Sequence, residues 1–197
     1  MKTILKGFHV AINQFTSIHI GLLHNGKSGF IVKFTDSCAY EIDPENQDDW
    51  NKLCGQSWGF FPLIKQYRMH YNSSRFGWRY NTTTDCIEVA AYYYVNGQRF
   101  YENDPSKILS IPRDTEKGGF NEVYLGIIPL VSSQSVIYTY CFDFKIDSFG
   151  IEFNGNGIQK LSQHNQNIPN VNGFSAIIYF GGQDKAPHTI KIGIKIV

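Results

Sequence analysis

Residues 75–101 read RFGWRYNTTTDCIEVAAYYYVNGQRFY, and this stretch decides the fold because it predicts two consecutive β-hairpins. Phe76 and Trp78 alternate with arginines and a glycine, which is the period-two pattern of a strand with one face in a core. The dipeptide Asn96-Gly97 then predicts a tight turn, because both central positions of the favoured hairpin turn need a positive φ.

The register of both hairpins follows from the same pattern. A tight turn places Val95 opposite Gln98. In the first hairpin Trp78 must lie on the side of Val89, since a slip of one residue would turn Glu88 into the core. The sequence therefore specifies which side chains share a face.

The second face of the hairpins has a different chemistry from the core face. It carries arginines, tyrosines and one carboxylate: Arg75, Arg79, Glu88, Tyr92, Tyr94, Arg99 and Tyr101. Tyrosine rings and guanidinium forks together suit sugar rings, nucleotides or phosphates. A second interpretation is that Arg79 pairs with Glu88 across the strands. Arg99 would then stack on Tyr94, and the face would be solvated or covered by a loop.

Composition and length indicate one all-β domain over residues 1–197. Aromatic residues make up 15% of the chain and glycine occurs 18 times, which suits short strands joined by tight turns. About a dozen strand-like segments predict a two-sheet antiparallel β-sandwich of the jelly-roll (concanavalin-like) type. The nearest helical candidate is a short turn at residues 48–54, with Asp48 as its cap and Trp50 and Leu53 as buried anchors.

Alternation outside the hairpins predicts the remaining strands and the core. The predicted strands are residues 8–12, 17–22, 29–35, 57–61, 107–111, 123–131, 136–146, 149–153, 174–180 and 188–197. The predicted core comprises Phe76, Trp78, Tyr93, Phe142, Phe144, Ile192 and Ile194.

Charge and hydropathy limit the possible partners. The net charge of +1 gives no general field for nucleic acid or an anionic membrane. No apolar run approaches the roughly 18 residues of a membrane span. Lys6 and His9 interrupt the apolar amino terminus before a signal-peptide core forms, so we expect a cytoplasmic protein. The cysteines lack metal-type spacing and are predicted to be buried free thiols: Cys38, Cys54, Cys86 and Cys141.

Metal and catalytic motifs are weak. An acidic loop offers hard oxygen ligands, as calcium needs, but without EF-hand spacing: Glu41, Asp43, Glu45, Asp48 and Asp49. The histidines have no zinc-ligand spacing, so no cofactor is predicted. A lyase would need a base and an acid near an arginine, and Arg75 with Tyr92 or His70 could supply them.

Three segments, residues 30–59, 70–99 and 179–196, contain the motifs N-S-x-R-F-G-W-R and Y-F-G-G-x-x-x-A-P-H. They resemble a family of small β-jelly-roll proteins from Bacteroidetes and their phages. The resemblance implies a jelly roll and, for a phage protein, residence in the host cytosol. It transfers no catalytic residues, since the family has no established activity.

These observations predict a non-catalytic ligand-binding β-sandwich that binds carbohydrate through its Arg/Tyr face. Small molecules or glycans are the expected partners, and the oligomeric state is left open. One alternative is a phage-encoded protein that sequesters a nucleotide signal or blocks a host defence protein. A glycan-active lyase or hydrolase is another, so the enzyme question stays open, with binding favoured. A structural or virion role ranks last.

Overall fold

The computed structural model describes residues 1–12, 28–58, 70, 73–95, 97–130, 135–141, 144–146, 151–153, 159–165, 173–175 and 178–196. The predicted strand at residues 17–22 and the predicted core side chains of Phe142 and Phe144 lie outside this description.

Almost all regular structure among the described residues is β-strand. The strands are β1 Lys2–Ile4, β2 Ser28–Phe34, β3 Asn51–Trp58, β4 Ser73–Asn81, β5 Cys86–Val95, β6 Gln98–Tyr101, β7 Leu109–Asp114, β8 Gly119–Phe120, β9 Val123–Leu130, β10 Ser135–Cys141, β11 Phe144–Ile146, β12 Ile151–Phe153, β13 Gln159–Asn165, β14 Gly173–Ser175 and β15 Ile190–Ile196. Short 3₁₀ turns occur at Asp36–Cys38 and Pro105–Lys107.

The strands form two large antiparallel sheets. One has the order β1-β15-β2-β9-β10-β13. The other has the order β14-β3-β4-β5-β7-β8, with β6 paired to β5, while β11 and β12 form a separate ladder. The predicted all-β class, with two packed antiparallel sheets, is confirmed.

The main core lies between the two sheets. Phe34 of β2 reaches across to Trp78 of β4, with ring centroids 5.5 Å apart. Phe76, Trp78 and Ile192 are buried as predicted. Tyr93 and Ile194 are only partly buried and pack at the margin of this cluster. Residues from both ends of the chain contribute to the same core, which explains why β1 and β15 are neighbours.

Both hairpin registers agree with the sequence pattern. Trp78 is paired with Val89 between β4 and β5, and Val95 is paired with Gln98 between β5 and β6. Gly97 has a φ of 81°, the left-handed conformation that the tight turn requires. The second face of this sheet is therefore composed of the predicted residues.

A loop at residues 102–108 leaves the edge of β5 and returns to it. The Glu102 amide donates to the Ala91 carbonyl at 3.0 Å, and Leu109 is paired with Val89 at the start of β7. Between these points Asp104 caps the 3₁₀ turn by accepting from the Ser106 amide. The turn explains why β7 begins later than the strand predicted at residues 107–111.

The predicted helical turn at residues 48–54 is wrong. Residues 44–48 form turns, and β3 begins at Asn51. The Lys52 backbone exchanges two hydrogen bonds with Tyr179, at 2.8 and 2.9 Å, so the segment is held extended. Trp50 and Leu53 are buried as expected, but they pack in two different clusters.

The strand predicted at residues 8–12 is also wrong. Only isolated bridges occur there, between Val10 and Tyr179 and between Ala11 and Ile4. The backbone of residues 8–12 is shared between two neighbours. Ala11 bridges to Ile4, whereas the His9 carbonyl accepts from the Phe180 amide. Because neither neighbour pairs with the whole segment, no continuous ladder forms.

Candidate functional site

The second face of the β3-β4-β5 sheet forms the floor of a pocket of about 400 Å³. The loop at residues 102–108 and the acidic loop form its walls. The residues that determine its chemistry are Asp49, Trp50, Lys52, Arg79, Tyr92, Arg99, Tyr101 and Glu102. The pocket thus combines aromatic surface with several cations.

A glycine in β4 shapes the floor of this pocket. A Cβ atom on Gly77 would lie 3.2 Å from the Trp50 ring and 3.3 Å from Tyr92. The missing side chain therefore lets both aromatic residues pack against the strand. Trp50, Ala90 and Tyr92 form a second small buried cluster, with Ile108 packed against it. The sheet is consequently buried on both faces in this region.

Lys52 is the most unusual side chain of the pocket. It lies in β3 and is only 4% exposed. Its Nζ donates to the Gly181 carbonyl at 3.1 Å. The same Nζ lies 5.4 Å from the centroid of the Tyr92 ring and 5.5 Å from that of Tyr179. One backbone acceptor and two ring faces thus hold the ammonium group in place.

The environment of Lys52 disfavours its positive charge. Burial, together with the guanidinium groups of Arg75 and Arg99, lowers the pKa of Lys52 from 10.5 to about 8. The carboxylate of Asp49 acts in the opposite direction but does not compensate. Around the desolvated Lys52 amine the nearby cations therefore outweigh the nearby carboxylate, although the pocket as a whole is also lined by the acidic side chains of Glu45, Asp48, Asp49 and Glu102.

Arg79 forms a close ion pair across the strands. Its Nε donates to Glu88 Oε2 at 2.7 Å, and its guanidinium lies 4.7 Å from the Trp50 ring centroid. The predicted cross-strand pair of Arg79 and Glu88 is confirmed. Arg79 also covers the indole face, which leaves less of Trp50 available for stacking with a ligand.

The predicted Arg/Tyr face divides into a buried part and an exposed part. Arg75 and Tyr92, which face each other across β4 and β5, are each 1% exposed. Arg99 and Tyr101 of β6 are exposed, and both line the pocket. The expected stacking of Arg99 on Tyr94 is replaced by a contact with Tyr101, whose ring centroid is 5.7 Å away.

The remaining predicted residues lie beside the pocket. Tyr94 packs edge-on against His70, with ring centroids 5.0 Å apart. Burial, reinforced by Arg75 and Lys52, lowers the pKa of His70 to about 4. His70 is therefore neutral at pH 7. Of the groups suggested for a lyase, Arg75 and Tyr92 are buried.

The acidic loop contributes to the pocket as a wall. Glu45, Asp48 and Asp49 line it. Among the residues that the structure describes, no group of three or more histidine, cysteine or acidic side chains could hold a metal ion. Asp48 lies 3.7 Å from Arg79 but its side chain is 88% exposed, whereas Asp49 approaches Gly182.

Sequence reasoning missed Lys52, the residue at the centre of the site. It follows the acidic loop, in a segment where the sequence predicts a helical turn, so its position on the Arg/Tyr face of the sheet is not predicted. One available signal was Gly77, since a glycine inside a strand indicates close approach by another group. That signal predicts a covering element but not its identity.

Comparison of the chain with protein-family models, curated proteins and solved structures gave no match. Within the described part of the chain, no helix has the length and apolar character needed to cross a membrane.

Proposed function

We propose that this protein is a non-catalytic binding protein whose pocket takes a small carbohydrate that carries an anionic group, such as a uronic acid or a sugar phosphate. The observation that supports this most is the buried Lys52 ammonium beside Arg75 and Arg99. An anionic ligand would relieve the repulsion among these cations, which a neutral sugar would leave in place.

The aromatic surface supports a sugar ring in the same pocket. Tyr92 and Tyr101 are stacked, with centroids 6.2 Å apart and planes 14° apart. Tyr101 lines the pocket and remains 37% exposed, so part of its ring is accessible to a ligand. Because Arg79 covers the Trp50 ring, aromatic stacking alone would contribute little to the binding of a neutral glycan.

Thermal denaturation with a matched ligand panel tests the proposal. Glucuronate and glucose 6-phosphate should raise the melting temperature, while glucose should not. A ligand at 100 times its dissociation constant adds about 2.7 kcal/mol to the unfolding free energy. Equal stabilisation by glucose would contradict the requirement for an anion. AMP and adenosine are tested in the same way to examine the nucleotide alternative. Stabilisation by AMP, with no response to the acidic sugars, would favour nucleotide binding.

Two variants with the same change in charge locate the binding. Arg99→Gln removes a cation at the pocket, and Lys33→Gln removes one from β2 in the other sheet. Both residues are exposed, so neither change should unfold the protein. Arg99→Gln should weaken acidic-sugar binding at least tenfold, whereas Lys33→Gln should leave it unchanged. Equal affinity in the two variants would refute the assignment of the pocket.

A further inference from the structure

We propose that Lys52 binds its ligand covalently and reversibly, by forming an imine with the carbonyl carbon of a 2-oxo acid. This inference rests on the proposed function, because the same pocket must first bind the anionic group. The ligand class it names is the open-chain form of sugar acids in which a carbonyl lies next to the carboxylate.

The geometry supplies the two groups that such a ligand needs. Lys52 and Arg99 both line the pocket, and the positive charge of Arg99 acts on Lys52 by lowering its pKa. Arg99 presents donors for a carboxylate. The Lys52 amine is held between the rings of Tyr92 and Tyr179, with its Nζ anchored on the Gly181 carbonyl. A carboxylate on Arg99 therefore brings the adjoining carbonyl carbon into the cavity that contains the amine.

The electrostatic environment also prepares the amine. Only a neutral amine is nucleophilic, and desolvation beside other cations is a recognised way to activate a lysine. With its pKa at about 8, roughly a quarter of Lys52 is neutral at pH 7.5, against about one part in a thousand for an ordinary lysine.

The reaction is balanced without an oxidant or reductant. The nitrogen lone pair of neutral Lys52 forms a C–N bond to the carbonyl carbon, and proton transfer from nitrogen to oxygen gives a carbinolamine. The C–O bond then breaks, and the oxygen leaves as water with both amine protons. The product is a neutral imine, which takes one proton from solvent when it becomes an iminium ion. Hydrolysis reverses each step.

Reductive trapping tests this inference on the full chain. The protein is incubated with pyruvate, the simplest 2-oxo acid, and sodium cyanoborohydride, and the product is mapped by peptide mass spectrometry. Lys52 should gain the mass of one pyruvic acid less one oxygen atom, faster than exposed Lys33 by at least tenfold. The amino-terminal amine is mapped separately because it reacts by the same chemistry.

Two comparisons make the result specific to the pocket. Arg99→Gln keeps Lys52 but should slow its labelling by pyruvate at least tenfold, and acetone should label Lys52 poorly in both proteins. The rate of labelling should rise from pH 6 towards pH 8 as more of Lys52 becomes neutral, and fall at higher pH as the reducible iminium ion is lost. Labelling confined to exposed lysines and the amino terminus would overturn the inference, as would equal labelling by acetone and pyruvate.

Failure of this inference is distinguishable from failure of the proposed function. Lactate has the carboxylate but no carbonyl, so it reports anion binding alone. If lactate and glucuronate stabilise the protein while pyruvate leaves Lys52 unlabelled, the imine is refuted and the binding pocket stands. If no anion stabilises the protein and Lys52 is unlabelled, both are refuted.

Discussion

Replacing Lys52 with methionine should remove a pH-dependent part of the stability of the fold. The folded protein holds the Lys52 proton with a pKa of about 8, against 10.5 in the unfolded chain. Between these values the unfolded chain binds more protons than the folded one. The unfolding free energy contributed by Lys52 therefore rises with pH through this window and is constant below it.

The size of the effect follows from the shift in pKa. Each pKa unit corresponds to about 1.4 kcal/mol, so the full window gives about 3 kcal/mol. Because Lys52 is 4% exposed, solvent screening reduces this little. Buried acids oppose the trend, since burial raises the pKa of the Cys38 thiol to about 12 and that of the Tyr40 hydroxyl as well. Their effect is the same in both proteins and cancels in the difference.

Urea denaturation of the wild type and Lys52→Met, at intervals between pH 6.5 and 10, measures that difference. The wild-type unfolding free energy minus that of the variant should be flat below about pH 7.5. It should then rise by about 1.4 kcal/mol per pH unit. Lys33→Met, a change at an exposed position of β2, should show no such slope. A difference for Lys52→Met that stays flat to pH 10 would refute the reasoning.

Two further predictions concern the frame of the pocket. Gly181→Ala should lower the unfolding free energy by at least about 1 kcal/mol more than Gly7→Ala does, and it should also give the lower melting temperature. Both glycines have a positive φ, but only at Gly181 would the new Cβ overlap the carbonyl of Asp184. In a double-mutant cycle, Arg79→Ala and Glu88→Ala should show a coupling energy of about 1 kcal/mol, because the pair is short and largely buried. A coupling near zero in urea denaturation would mean that the pair is solvated.

The hairpins were predictable because local rules and packing agree there. The turn at Gly97 fixes the β5-β6 register, and a slip between β4 and β5 would bury Glu88. A period-two pattern reports which side chains share a face, and this part of the prediction is confirmed. It does not report what lies over that face.

The pocket could not be predicted to the same extent because its parts are distant in sequence. Burial of Tyr92 depends on Trp50 and Ile108, which reach the sheet from separate loops. Lys52 is fixed by backbone pairing with Tyr179, near the other end of the chain. Local propensity carries no information on such pairing, so the sequence pattern predicts a turn of helix around Lys52 instead of a strand.

The loop at residues 102–108 has a consequence for how this protein could acquire new selectivity. At its start Glu102 is hydrogen-bonded to Ala91 of β5, and just after its end Leu109 is paired with Val89 of the same strand. The two ends of the loop are therefore only two positions apart along β5. Insertions or exchanges between those ends change a wall of the cavity without altering any strand register. The sandwich can therefore act as a constant support for a replaceable segment, and selection for a new ligand would act on that segment first.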